Sequence, residues 1–261
     1  MCFELDSVPP IPPIAGAAID ARDLVLRSAD GTEFAAFFAK PERPSGAGVV
    51  ILPDVRGLYR FYEELAMRFA EEGIAAVAID YFGRTAGVGK RGDDFPFMEH
   101  VAQTKSDQIA ADVRAAVEFL RSEEGGASRA IFTVGFCFGG QQSWLQAANG
   151  HGLAGAIGFY GRPGPTRDGA PGPVDRAREM ACPILALMGG ADQGIPLDQV
   201  EQLRRALEEA GVEHEVVVYP GAPHSFFDRR YEEYAEESAD AWRRCLEFIR
   251  RNAGVSAASQ R

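Results

Sequence analysis

A cysteine set among glycines carries the strongest chemical signal in the chain: Gly135-Phe136-Cys137-Phe138-Gly139-Gly140. It follows the apolar run Ala130-Ile131-Phe132-Thr133-Val134 and precedes a stretch of helical character. A nucleophile on a sharp strand-to-helix turn is held in strained backbone geometry. Glycine two positions to either side lets neighbouring elements approach without a Cβ clash. Such a turn would expose the sulfur above a sheet and at a helix N-terminus, whose positive dipole end favours thiolate. The backbone N–H of Phe138 would then face a developing oxyanion. Taken alone, the motif reads more readily as a small buried cysteine in a Gly-rich turn.

The other two members of a nucleophilic triad follow in order. Asp192 lies in Gly189-Gly190-Ala191-Asp192-Gln193-Gly194, just past an apolar run at residues 183–188. An acid beyond the carboxyl end of a parallel strand sits on the ligand side of such a sheet. His224 lies in Pro220-Gly221-Ala222-Pro223-His224-Ser225, beyond the run 215–219, from where it can reach back to the thiol. Singly, Asp192 is a turn former and His224 a loop histidine. Together with Cys137 they give the chain order nucleophile, acid, histidine of α/β-hydrolases. His100, His151 and His214 compete for the role of base, but none follows a strand in the required place.

These three residues need a scaffold that brings strand ends together. Short apolar runs at residues 33–39, 48–52, 74–79, 130–134, 154–159, 183–188 and 215–219 read as strands, most of them buried and parallel. Between them, helical patterns are expected at 60–72, 99–123, 138–148 and 197–210, with a closing amphipathic helix over 231–251. Residues 83–94 and 161–172, rich in Gly, Pro or charge, read as loops. Strands alternating with helices predict an α/β fold with a mostly parallel central sheet and helices on both faces. One domain is expected over 25–252, after a Pro-rich extension at 1–24 and before a short tail at 253–261. The aromatic residues Phe61, Tyr62, Phe95, Phe97 and Phe226 fall in or beside loops at the active end, but such residues are usually core.

Composition limits the partners. The 261 residues carry a formal net charge of -11, which disfavours nucleic acid and anionic lipid as ligands. No stretch approaches the ~20 apolar residues of a membrane helix, and the first residues lack the basic start and apolar run of a secretion signal. Cys2 lacks the preceding signal of a lipidated cysteine. The four cysteines, Cys2, Cys137, Cys182 and Cys245, are too dispersed for a disulfide framework or a metal site. A reducing compartment, the cytoplasm, is the expectation. No metal or organic cofactor is indicated: HExxH, GxxxxGK[ST] and the dinucleotide fingerprint are all missing.

The motifs GFCFGG, GGADQGIP and PGAPHSF resemble the dienelactone hydrolase family, also called carboxymethylenebutenolidases. Pro53-Asp54-Val55-Arg56-Gly57, Asp80-Tyr81-Phe82-Gly83-Arg84 and Phe159-Tyr160-Gly161 agree with it, and the resemblance spans roughly residues 25 to 250. It implies the α/β-hydrolase fold and a small ester or lactone as substrate. It further implies a cysteine acyl-enzyme, with Cys137 as nucleophile, His224 as base and Asp192 orienting the base. The implied oxyanion hole is the backbone N–H of Val55 and Phe138. The family's thiol-activating Glu corresponds here to Asp54, one methylene shorter. Arg84 matches the family's substrate-carboxylate clamp. The family's second clamp Arg is replaced by Asp228, with Arg229 and Arg230 just after. These departures leave two other uses of the scaffold open, a catalytically inactive ligand-binding protein and a thiol redox protein.

Overall fold

The computed structural model describes residue 3, residues 6–92, 94–229 and 231–254; Cys2, Arg230 and residues 255–261 lie outside the described residues. Eight strands form one sheet: β1 (Ile19–Arg27), β2 (Glu33–Pro41), β3 (Ala47–Leu52), β4 (Ala75–Ile79), β5 (Ala130–Phe136), β6 (Gly155–Phe159), β7 (Ile184–Gly189) and β8 (His214–Tyr219). Their order is β1-β2-β4-β3-β5-β6-β7-β8. The pairs β1–β2 and β2–β4 are antiparallel, and every other pair is parallel. This is the expected α/β-hydrolase architecture.

The alternation of side chains along the central strands explains why both faces are covered. Val49 and Ile51 of β3 enter one apolar cluster, with α1 (Arg60–Glu71), α6 (Leu197–Glu209) and α7 (Ala235–Asn252). Val50 and Leu52 enter a second cluster on the opposite face, with Ile109, Val113, Val117 and Leu120 of α4 (Ser106–Arg121). The short helix α2 (Gly83–Ala86) lies within the stretch expected to be loop. Phe61, Tyr62 and Phe226 are fully buried core residues. Among the described residues no helix is long and apolar enough to cross a membrane.

Three further elements differ from expectation. The helix expected over 99–123 is two, α3 (Phe97–Val101) and α4. The break falls at Thr104, whose hydroxyl caps the carbonyl of Val101, and α4 restarts at Ser106, held at its N–H and Oγ by the carboxylate of Asp168. The C-terminal helix begins at Ala235, after a 3-10 turn at Glu232–Tyr234. Strand β1 begins inside the stretch expected to be a Pro-rich extension. It is an edge strand whose solvent side carries Ala21, Asp23, Val25 and Arg27, all exposed, so its apolar pattern is weak.

Candidate active site

In a parallel sheet of this kind, ligands bind beyond the carboxyl ends of the strands. Cys137 follows β5, Tyr160 follows β6, Asp192 follows β7 and His224 follows β8, four adjacent strands. On the other side of β5, the loop after β3 brings Asp54 and Val55 to the same edge. A cavity of about 760 Å³ opens there, lined among others by Cys137, Phe138, Val55, Asp192 and His224.

Cys137 occupies φ 56°, ψ −114°, a region that non-glycine residues rarely adopt, immediately before α5 (Phe138–Gln146). Its N–H donates to the carbonyl of Phe159 and its carbonyl accepts from Gly140 and Gln141, so the turn is tied at both ends. A Cβ on Gly135 would meet the carbonyl oxygen of Gly139 at 1.9 Å, which is why the residue before this turn has none. Tyr160 (φ 38°) and Ser225 (φ 57°) carry further positive φ angles on or beside the cavity. Backbone strain of this sort persists only where surrounding contacts over-determine it.

His224 Nδ1–H donates to Asp192 Oδ2 at 2.6 Å, and the ring is also hydrogen-bonded to Cys137. The Asp192 carboxylate is anchored in turn by the N–H of Gly194 at 2.8 Å. Burial alone would push the imidazole pKa down. Hydrogen bonds to Asp192 and Cys137, with their charges, outweigh it and push His224 up from 6.5 to about 9. Burial would raise Asp192, but the His224 hydrogen bond and charge and the nearby N–H groups hold it below its usual range.

A group raised in the folded state stabilises that state below its unfolded pKa and ceases to do so as pH climbs through the folded value. The His224 contribution is therefore complete below about pH 6.5 and lost through about pH 9. Replacement Asp192→Asn removes the first of the two raising partners. The His224 imidazole is then expected to titrate well below 9 in a proton NMR pH series, and the alkaline loss of stability to move to lower pH. An unchanged His224 titration in Asp192→Asn would contradict this assignment.

The structure brings Cys137, Asp192, His224, Val55 and Phe138 together, holds Asp54 beside them in an ion pair of its own loop, and leaves Arg84 apart. Arg84 does not reach the cavity. Its guanidinium makes two hydrogen bonds to Asp112 at 2.8 and 2.9 Å and a third to Asp30 at 2.9 Å. Arg84, expected as a substrate-carboxylate clamp, here has its bidentate donor engaged by a buried carboxylate of α4. Asp54 is buried and engaged from its own loop. Its carboxylate accepts from the Arg56 N–H at 2.9 Å and from the Arg56 guanidinium at 3.0 and 3.3 Å, and Tyr59 lies beside it. Arg56 also lies over the Tyr59 ring at 4.5 Å. Asp228 is buried and bonded to Ser7.

Tyr160, part of the motif after β6, lines the cavity, and several other lining residues carried no sequence signal: Gln141, Arg162, Thr166, Arg167 and Tyr231. The Gln141 side chain donates to the carbonyls of Arg162 and Gly164, at 2.9 and 2.7 Å, tying the Gly- and Pro-rich loop after β6 to the start of α5. A Gln one turn into the helix after the elbow was the available clue to that tether. The competing histidines lie elsewhere: His151 bonds Gln146, His100 stacks on Phe95, and His214 faces the carbonyl of Val212. Among the described residues no three His, Cys, Asp or Glu side chains gather as a metal site.

The model of the dienelactone hydrolase family matches residues 34–253. The chain belongs to the dienelactone hydrolase family. A Salmonella typhimurium protein named "Putative carboxymethylenebutenolidase" is 33% identical over 230 residues, covering 86% of this chain and 85% of that protein. A Yersinia pestis protein of the same name is 31% identical over 233 residues, covering 87% and 86%. The crystal structure of a "Putative Dienelactone Hydrolase" from Klebsiella pneumoniae subsp. pneumoniae MGH 78578 superposes with a TM-score of 0.78 at 30% identity, covering 89% of this chain and 98% of that one. As a dienelactone hydrolase family member, the chain is a hydrolase whose fold and strand-end site follow the family architecture.

Proposed function

We propose that the chain hydrolyses small esters or lactones through an acyl-thioester on Cys137. The observation that carries this reading is the single imidazole of His224, bonded at once to a carboxylate and to the elbow thiol. With Nδ1–H committed to Asp192, Nε2 is left for the thiol and its proton.

The chemistry then runs in two halves. With its proton held by His224, Cys137 Sγ attacks the substrate carbonyl as thiolate. The oxyanion is met by the N–H groups of Phe138 and Val55. Phe138 is the first residue of α5, so its N–H has no carbonyl to bond within the helix. Collapse of the tetrahedral adduct expels the alcohol, which takes the proton from His224. Water, deprotonated by His224, then attacks the thioester, and the acid leaves with the thiol restored. Val55 lies between Asp54 and Arg56, whose ion pair closes the loop on either side of it. On this reading Asp54 holds the Val55 amide in place, and exchange of a proton with the thiol would require that pair to open. None of Cys137, Cys182 and Cys245 is in a disulfide, which accords with a cytoplasmic setting.

The test is pre-steady-state release of 4-nitrophenolate from 4-nitrophenyl acetate. A burst of one equivalent per chain is expected before slower steady turnover. No burst together with no turnover of any activated ester or lactone would end the proposal and leave an inactive binding protein.

A further inference from the structure

The family match begins at residue 34, yet residues well before it reach the active site from behind. Phe3 is almost fully buried and stacks on Phe61 with ring centroids 4.0 Å apart. It also touches Phe136, the residue before the nucleophile, at 6.1 Å, and Tyr160 at 6.3 Å. The Tyr160 ring in turn lies 5.0 Å from that of His224. Four residues on, Ser7 Oγ–H donates to Asp228 Oδ2 at 2.6 Å, with both groups buried. The N–H of Arg229 donates to the carbonyl of Val8. Residues 10–13 then border a cleft shared with Asp228, Arg229 and Tyr231, and Tyr231 also lines the main cavity.

The contacts of Ser7, Val8 and residues 10–13 fall on the loop that carries His224, whereas Phe3 packs behind the elbow and Tyr160. Loops beyond a sheet edge are held in a single geometry only where something ties them. Between His224 and the start of α7 at Ala235, buried ties come from Ser238, which bonds the carbonyl of Phe226, and from Ser7. We propose that Phe3 and Ser7 are positioning residues for the hydrolytic site: Ser7 fixes His224 through Asp228, and Phe3 fixes it through Tyr160. Neither residue touches substrate. The inference rests on the Cys137–His224–Asp192 reading. It adds that the active geometry depends on chain outside the family's matched region. A misplacement of about 1 Å in a catalytic group can cost about a hundredfold in rate, so a loosened loop is felt in turnover before it is felt in binding.

The experiment compares wild type with Ser7→Ala, Ser7→Thr and Phe3→Ala, by steady-state kinetics on 4-nitrophenyl acetate and by the rate of acylation at Cys137. Ser7→Ala is expected to lower kcat about tenfold with KM within about twofold of wild type. Ser7→Thr keeps the hydroxyl and should recover most of the loss. Phe3→Ala should act in the same direction as Ser7→Ala. Wild-type kcat and acylation rate in Ser7→Ala, even with a lowered melting temperature, would overturn the inference and leave a purely structural brace. Failure of the wild-type chain to acylate at Cys137 would overturn the triad reading as well. Normal wild-type acylation with an indifferent Ser7→Ala would overturn the positioning role alone.

Discussion

Cys137→Ala is expected to lower the turnover of 4-nitrophenyl acetate by about a thousandfold or more, with the fold intact. The size follows from the role. The sulfur forms the bond on which both halves of the reaction depend, and no neighbouring group can stand in for it. Cys182 and Cys245 are the other described cysteines, and both are buried. Burial pushes the Cys182 thiol up to about 12 and the Cys245 thiol higher still, so neither supplies a thiolate near neutral pH. The fold should be kept, because the Cys137 side chain is only partly buried and alanine removes one atom at the edge of a cavity, with the loss limited to the His224 interaction. Retained hydrolysis at the wild-type rate in Cys137→Ala would place the chemistry elsewhere.

The second large effect is expected at Gly139, which reacts with nothing. A Cβ there would lie 2.1 Å from the carbonyl oxygen of Leu52 and 2.3 Å from that of Pro53. Both obstacles are backbone, so the side chain cannot be accommodated by a rotamer change. Helix α5 and the loop after β3 must move apart. That loop carries Val55 and that helix begins at Phe138, so the two proposed oxyanion donors separate. Overpacking of this kind costs about 1–3 kcal/mol or more, and the displaced donors should cost about a hundredfold in kcat/KM. Gly221→Ala is the matched control, since a Cβ there meets nothing within 4 Å and its φ is not positive. Thermal melts and kcat/KM of the two variants check the prediction. Equal behaviour of Gly139→Ala and Gly221→Ala would show that the close approach is not needed.

Local sequence was informative where one short segment determines both conformation and chemistry. The elbow is such a case: a glycine at 135 is needed against the carbonyl of Gly139, and a nucleophile at 137 follows from the same turn. The apolar runs of β3 to β7 were legible because buried parallel strands need uninterrupted apolar side chains, and strands of that kind must alternate with helices. Strand β1 was not, because one of its faces meets solvent and its charges mask the pattern. The division of α3 from α4 depends on Asp168, 62 residues from Ser106 along the chain, and no local pattern records such a partner.

The same distinction separates the residues of the site. Asp192 and His224 could be placed because each follows a strand end. Arg84 sat in the right motif, but its fate was decided by Asp112, 28 residues on and one turn and a half into α4. A guanidinium adjacent to a buried carboxylate pairs with it, whatever the motif suggests. Asp54 matches the family's thiol-activating carboxylate, and the sequence does not show that Arg56, two residues away, folds back on it. The Asp228 that replaces an expected arginine is matched by a compensating hydroxyl 221 residues earlier, at Ser7. In each case the decisive partner is distant or on a side chain whose direction the sequence does not encode.

The central claim is a covalent bond between substrate acyl group and Cys137. Its most direct measurement is mass spectrometry of the protein quenched in acid within the first turnovers on a panel of activated esters and lactones, followed by peptide mapping. The account predicts a mass gain of one acyl group per chain, located on the Cys137 peptide and lost again as substrate is exhausted. A gain on another residue, or full turnover with Cys137 unmodified at every quench time, would contradict it.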